Sequence, residues 1–254
     1  MFFVVIRVHL WFLGAMQQAY TIQGREVRLP VEVRDASSGA ATYLVDATAA
    51  RRLVPEAFEV AEVWPGRALL SLAVIDYRDN DLGAYHEVSI AFFVRRRGER
   101  RGPLATVGDF FRGRLPTYIR HLPVDGSFTR EAGETIWGFP KTVQHIEWER
   151  RPERLTCTLT MDGQHALTLS VPAGGARTLP VQHLTTYSLI GGKPHATPFT
   201  SSAEGAGFHL GGAELSLGSH PIADELRSLG LPKKALMTMW MERMRGTFEA
   251  AEPL

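Results

Sequence analysis

The chain has 254 residues, of which 44% are hydrophobic and 22% are charged, and its formal net charge is +1. This length is enough to bury one sizeable core, and we expect a single domain. Charge so close to balance does not favour a nucleic acid, an anionic membrane surface or an acidic protein as the partner.

The first fifteen residues are apolar but contain Arg7 and His9. They fall short of the roughly 20 apolar residues that a membrane-spanning helix needs. A secretory signal peptide would carry its basic residues ahead of the apolar stretch and not inside it. We therefore interpret residues 1–15 as a non-native leader before an alternative start at Met16, and residues 16–254 as the domain.

Alternating apolar and polar residues dominate the middle of the chain. Before them, Asp46 predicts the N-cap of a short helix that runs to Arg52. From about residue 56 to 218 the alternation is interrupted by turn residues, as is typical of the antiparallel strands of a barrel or sandwich. The clearest hairpin runs from Leu155 to Val171, because Asp162-Gly163 separates two alternating runs.

Two more helices are predicted near the carboxyl end. The first spans residues 221–229 and is ended by Gly230. The second spans about residues 232–250, where Leu236, Met239, Met244 and Phe248 recur at near-helical spacing. We interpret the methionines as packing residues. The predicted fold class is therefore mainly β, with short helices near both ends of the chain.

Three further features bear on partners and compartment. The arginine-rich run from Arg95 to Arg101 contains Gly98, so we expect a solvated loop and no nucleic-acid site. Cys157 is the only cysteine and falls at a buried strand position, so no disulfide can form within the chain and the cytoplasm is the expected compartment. The nine histidines show no close pair of the kind that binds zinc, so we expect neither a metal nor a cofactor.

Lys141 stands out because only four of the 28 basic residues are lysines. It follows the apolar segment Ile136-Trp137-Gly138-Phe139-Pro140. If that segment excludes water, burial lowers the lysine pKa and leaves a neutral amine that attacks a carbonyl, which arginine cannot do. A lysine whose stem covers apolar surface while its ammonium group reaches water fits the same pattern.

Glu87 is the carboxylate that we expect to move protons around such an imine. It begins an alternating segment in which Val88 and Ile90 share one face, whereas Ser89 and Ala91 share the other face with Glu87. A small and polar face of this kind fits the lining of a ligand cavity, and it fits a solvent-facing surface equally well.

Several motifs resemble the acetoacetate decarboxylase superfamily. One set lies between Tyr118 and Lys141 and comprises Leu122-Pro123-Val124, Phe128-Thr129-Arg130-Glu131-Ala132-Gly133 and Trp137-Gly138-Phe139-Pro140-Lys141. Gly83-Ala84-Tyr85-His86-Glu87 is similar to the glycine-tyrosine-glutamate strand of that family, and Leu217 to Pro232 is similar to the run before its last helix. The resemblance covers roughly residues 45–244. It implies a lipocalin-like cone or closed antiparallel β-barrel around a pocket, assembled as a homo-oligomer.

The resemblance also implies roles for individual residues. Lys141 matches the Schiff-base lysine, which acetoacetate decarboxylase itself is known to use in activated form, and Glu87 matches an active-site glutamate. Trp137, Phe139 and Tyr85 would line the substrate pocket. Thr142 would donate a hydrogen bond to the substrate.

The sequence departs from the decarboxylase at three places. Thr142 stands where the decarboxylase has a second lysine, an early-strand arginine would fall near Leu44 or Val45, and a further acid would fall near Ser71. Family members that lack these groups resemble Schiff-base aldolases or dehydratases acting on pyruvate-like acids. We therefore predict a cofactor-independent lyase, either a decarboxylase or an aldolase-dehydratase, that forms an imine with a small keto acid. The alternative is a non-catalytic barrel that binds a small apolar ligand.

Overall fold

A computed structural model describes residues 18–99 and 101–254, and the predicted leader at residues 1–15 lies outside this part. The mainly β fold expected from the alternation is confirmed. The strands are β1 (Ala19–Ile22), β2 (Arg25–Arg28), β3 (Val31–Asp46), β4 (Phe58–Val60), β5 (Glu62–Trp64), β6 (Arg67–Asn80), β7 (Tyr85–Arg96), β8 (Thr117–Val124), β9 (Lys141–Val143), β10 (His145–Arg151), β11 (Arg154–Met161), β12 (Gln164–Pro172), β13 (Arg177–Ile190), β14 (Lys193–Leu210), β15 (Glu214–Leu217), β16 (Met237–Phe248) and β17 (Glu252–Pro253). The helices are α1 (Ala47–Arg51), α2 (Pro103–Phe111), α3 (Ser127–Trp137) and α4 (Pro221–Ser228).

The long strands form a ring. They pair in the order β7, β6, β3, β16, β14, β13 and β8, and β8 pairs again with β7. Most of these pairs are antiparallel, as expected, but β8 runs parallel to both β13 and β9. Parallel neighbours need a long connection between them, and between β8 and β9 helix α3 provides it. This crossover carries the chain back to the ring at Lys141.

Strand β7 is buried on both faces. Val88, Ile90 and Phe92 lie in an apolar core shared with the sheet formed by β10, β11, β12 and β15. Glu87 and Ser89 face the interior of the ring instead. The alternation of side chains along a strand therefore separates a packing face from a cavity face.

The helix predicted over residues 232–250 is wrong, because the segment forms strand β16. This strand pairs with β3 on one side and β14 on the other. The register with β3 shifts twice: between Met241 and Met244 the extra residue lies in β16, and between Met244 and Gly246 it lies in β3. A bulge in a strand places residues that face the same side three positions apart instead of two. This spacing resembles the three-to-four spacing of a helix.

The two other predicted helices are confirmed. In α1 the Asp46 side chain accepts a hydrogen bond from the Ala49 N–H, and α4 follows His220, which caps it. Helices α2 and α3 were not predicted, since they interrupt the region in which strands were expected. Among residues 18–99 and 101–254, no helix combines the length and apolar character required to cross a bilayer.

The expectation that the arginine-rich run is wholly a solvated loop is wrong at its first residues. Arg95 and Arg96 complete strand β7, and Arg95 is buried. Its guanidinium group pairs with Asp109 at 2.8 Å and with Glu99 at 3.2 Å. Arg95 therefore attaches helix α2 to the ring, because a buried cation needs such partners.

We predict that Cys157 reports on unfolding. Its side chain is completely buried on β11, and burial raises the pKa of its thiol to about 12. The thiolate is the reactive form, so a thiol reagent at about pH 8 should leave the folded protein unlabelled and label it as denaturant unfolds it. Mass spectrometry measures the label. Ser216→Cys, at an exposed position on β15, should add one rapidly labelled thiol, and rapid native labelling of Cys157 would contradict the burial.

Candidate functional site

A cavity of about 250 Å³ lies inside the ring of strands. Its walls come from β3, β6, β7, β8, β13, β14 and β16, and from the segment that joins α3 to β9. Most lining residues are apolar. Lys141 and Glu87 are charged groups that face this cavity, so we take it as the candidate active site.

The local chain geometry brings Lys141 to the cavity. Helix α3 ends at Gly138, whose φ of 64° lies in the left-handed region that favours glycine. The N–H groups of Gly138 and Phe139 donate hydrogen bonds to the carbonyl groups of Glu134 and Gly133, which close the helix end. Lys141 then begins β9, which pairs in parallel with β8. The residues of β8 that pair with β9 are those of the Leu122-Pro123-Val124 motif.

The Lys141 side chain crosses helix α3 at Gly133. A β carbon added at Gly133 would lie 2.5 Å from Lys141 Cδ and 2.8 Å from Cε. Atoms cannot approach that closely, so the path of the lysine requires a residue without a side chain at position 133. The Gly133 of the sequence motif therefore has a packing role towards Lys141.

The Lys141 ammonium group has three partners, two on β7 and one on α3. Its Nζ lies 2.9 Å from Glu87 Oε2 on β7, and it donates hydrogen bonds to Thr129 Oγ1 on α3 at 2.9 Å and to the Tyr85 hydroxyl at 3.4 Å. It also lies 4.8 Å from the centre of the Tyr85 ring. The Tyr77 hydroxyl donates a longer hydrogen bond, 3.5 Å, to the other oxygen of Glu87. Only 4% of Lys141 is exposed.

These partners decide the charge of the lysine. Burial lowers the pKa of Lys141, but the charge of Glu87, the nearby Tyr85 and the hydrogen bonds from Lys141 to both residues raise it, and on balance the pKa is raised. The expectation that burial alone leaves a neutral amine is therefore wrong, because the partners of Lys141 outweigh the effect of burial. The resting state is a buried ion pair, and Glu87 is the base positioned to take the proton from Lys141.

The structure brings most of the predicted site residues together. Lys141, Glu87, Tyr85, Trp137 and Phe139 all line the cavity.

Thr142 is the exception among the predicted substrate contacts. It is exposed and does not line the cavity, because it follows Lys141 on a strand and so faces the opposite way. The predicted hydrogen bond from Thr142 to the substrate is therefore dropped. Ser71 does line the cavity, at the position where the decarboxylase has an acid, whereas Val45 lies in the outer apolar core.

Sequence reasoning missed Thr129, Tyr77 and Arg245. Thr129 lies four residues before Gly133, and recognition of α3 would have placed both on the face towards Lys141. Tyr77 shares the cavity face of β6 with Ser71 through simple alternation. Arg245 lies at the bulged part of β16, lines both the cavity and a surface groove, and was hidden by the wrong helix prediction.

Comparisons with known proteins point to one family. The model of the acetoacetate decarboxylase family matches residues 19–248. The solved acetoacetate decarboxylase of Legionella pneumophila is similar with a TM-score of 0.65 and 16% identity, covering 89% of this chain and 87% of that one.

Two further solved structures share the fold. The enduracididine biosynthesis enzyme MppR complexed with pyruvate is similar with a TM-score of 0.59 and 16% identity, covering 88% of this chain and 90% of that one. For an acetoacetate decarboxylase-like enzyme from Sphingomonas wittichii RW1 the values are 0.53 and 13%, covering 91% and 96%. No curated protein sequence matches the chain.

We predict that Gly133→Ala destabilises the protein. In an ordinary helix the change from glycine to alanine stabilises by about 0.5–1 kcal/mol. Here the new methyl group would displace Lys141 from Glu87, so the free energy of unfolding should fall; urea titration measures it. The matched control is Gly108→Ala in α2, where the added carbon meets only the mobile tip of Arg112. An equal gain for both variants would contradict the packing of Lys141 on Gly133.

We also predict that the charges of Lys141 and Glu87 are strongly coupled. Lys141→Met or Glu87→Leu alone leaves the other charge buried and unpaired, which should cost about 3–5 kcal/mol at neutral pH. The double variant should recover most of this loss, because no charge remains in the cavity. Denaturant unfolding of all four proteins measures the coupling. Simple additivity of the two losses would contradict it.

The exposed pair of Arg130 and Glu134 on α3 serves as the control for this cycle. Water screens an exposed pair, so its removal should change the free energy of unfolding by at most about 0.5 kcal/mol.

Proposed function

The chain belongs to the acetoacetate decarboxylase family, and we propose from this that it is a lyase that forms an imine between Lys141 and the carbonyl carbon of a keto acid. The observation that supports the proposal is the buried contact of 2.9 Å between Lys141 Nζ and Glu87 Oε2 at a ligand-sized cavity. It places a primary amine and a proton acceptor together beside space for a substrate.

Imine formation begins with proton transfer from Lys141 to Glu87. The neutral amine then attacks the carbonyl carbon, and a C–N bond forms while the carbonyl oxygen takes a proton from the nitrogen. Glu87 returns its proton to the resulting hydroxyl group, which leaves as water. The products are an iminium on Lys141 and a Glu87 carboxylate, so charge and protons balance.

The iminium withdraws electrons from the bonds next to it. Either a carboxylate on the neighbouring carbon leaves as carbon dioxide and the electrons of the broken C–C bond form an enamine, or Glu87 removes a proton from that carbon and the electrons of the C–H bond form the enamine. The enamine opens the way to addition or dehydration. Ser71 and Val45 stand near the places where the decarboxylase has an acid and an arginine. Their neutrality favours the aldolase or dehydratase branch over decarboxylation of acetoacetate. The condensation product of pyruvate and an aldehyde bound to MppR is consistent with that branch in a protein of the same fold.

A non-catalytic container for an apolar ligand is the second candidate. The raised pKa of Lys141 favours it, because an ammonium group is not nucleophilic. Lys141→Met separates the two: a container retains its ligand, whereas an imine-forming enzyme loses all turnover.

We predict that pyruvate with sodium cyanoborohydride adds mass at Lys141 and at no other lysine. The reagent reduces the iminium to a stable amine, which peptide mapping locates. Lys193, Lys233 and Lys234 are internal controls, because they lie outside the cavity, and Lys141→Arg should give no adduct at position 141. Equal labelling of the four lysines, or no adduct across a panel of keto acids, would reject the proposal.

The same assay carries a test of Glu87. Since the charge of Glu87 raises the pKa of Lys141, Glu87→Gln should lower that pKa and move the onset of adduct formation to lower pH. The maximal rate should fall as well, because the group that carries the proton is gone. If the pH dependence of adduct formation is the same in Glu87→Gln as in the wild-type protein, Glu87 takes no part in the reaction.

A further inference from the structure

The cavity wall next to Glu87 is built from small side chains on three adjacent strands. We call it the small-residue recess, and it comprises Ser38 and Ala40 on β3, Ser71 and Ala73 on β6, and Ser89 and Ala91 on β7. The strand pairing makes it continuous, because Ala40 pairs with Ala73 and Ala73 pairs with Ser89. Ser89 lies two residues beyond Glu87, which is about 7 Å along a strand.

Apolar side chains complete the recess. Met239 pairs with Ala40 on the neighbouring strand and lines the cavity together with Met241. Phe93 follows Ala91 on the cavity face of β7 and lies towards the far end. Methionine side chains are flexible and polarisable, so this wall adapts to the shape of an apolar group. Met239, interpreted from the sequence as a packing residue, is thus available to a ligand.

Arg245 and the small-residue recess lie on opposite sides of the ion pair. Strand pairing puts Met241 level with Ser38, which is level with Ile75 and so with Glu87. Arg245 lies further along β16, on the side away from the recess.

The environment of Arg245 suits an incoming anion. It is exposed, and it lines both the cavity and the surface groove, so it stands at the mouth. Within the part of the chain that the structure describes, its guanidinium group has no carboxylate within ion-pair distance. The nearby carboxylates are paired with other arginines, Asp35 with Arg78 at 2.7 Å and Glu32, in the same groove, with Arg34 at 3.8 Å. A guanidinium group without a protein partner is suited to a carboxylate ligand.

We infer that the substrate is an amphipathic keto acid, with an aryl or alkyl substituent that fills the small-residue recess and a carboxylate held by Arg245. This inference rests on the proposed function, since it places the substrate carbonyl at Lys141 between the two ends. The aryl or alkyl substituent moves from water into the recess, which is favourable, while the carboxylate stays at the mouth of the cavity.

The test compares phenylpyruvate with pyruvate in the cyanoborohydride assay. Phenylpyruvate should reach half-maximal adduct formation at a concentration at least tenfold lower. Ala73→Leu should reduce that ratio to near one, because leucine fills the centre of the recess. An equal response of the wild-type protein to both acids would overturn the apolar part of the inference, whatever the variant does.

Arg245→Gln tests the charged part. It should raise the half-maximal concentration of both acids about tenfold. The matched control is Arg243→Gln on the same strand, where the native arginine pairs with Glu204 at 3.0 Å and does not line the cavity. Equal behaviour of the two variants would remove Arg245 from substrate recognition.

Unreactive acids separate this inference from the proposed function. Calorimetry with 3-phenylpropionate and propionate measures binding without an imine, and we expect tighter binding of the former and loss of this preference in Ala73→Leu. If no keto acid is trapped but this preference holds, the lyase proposal fails and the ligand class stands. If no keto acid is trapped and 3-phenylpropionate binds no more tightly than propionate, both the lyase proposal and the inferred ligand class fail.

Discussion

The buried ion pair of Lys141 and Glu87 is the interaction on which the site depends. A lone charge in an apolar cavity is unstable, so each residue is tolerated only because the other is present. Thr129 and the two tyrosines satisfy the remaining hydrogen-bonding groups of the pair. The cost of burying two charges is thereby offset, and the cavity keeps a proton donor and a proton acceptor in contact. The pair is neutral overall before and after the proton moves between them, which makes that transfer easier in an apolar setting than the loss of a proton to water.

Glu87 and Lys141 lie on elements that are held in place in different ways. Strand β7 supplies Glu87 from a rigid ring whose outer face is held by a second sheet. Lys141 instead begins the three-residue strand β9 that follows α3, and its side chain is guided by Gly133. The Lys141 amine is thus held by packing of its stem on α3 and by its contact with Glu87 on β7, which limits its conformational freedom.

Much of this arrangement could be predicted from the sequence, and the failures have physical causes. The hairpin around Asp162-Gly163 and the caps at Asp46 and Gly230 depend on local backbone preferences, which a sequence shows directly. The strand β16 could not be recognised, because its irregular register is set by pairing with the distant strand β3. Glu87 could be assigned to the cavity only when the second sheet was known to cover the opposite face of β7. The charge of Lys141 depended on partners from distant parts of the chain, so the burial visible in the sequence gave the wrong sign for its pKa.

The contact between Gly133 and the stem of Lys141 makes the residue tolerated at one position depend on the residue at the other. As long as a long side chain lies at position 141, any residue larger than glycine at position 133 is excluded. A descendant that replaced the lysine with a short residue would release this restriction, and alanine, a better helix former, would then be favoured there. Covariation between a helix glycine and the lysine eight residues later would therefore mark which relatives have retained the amine, even where the short motif around it has drifted.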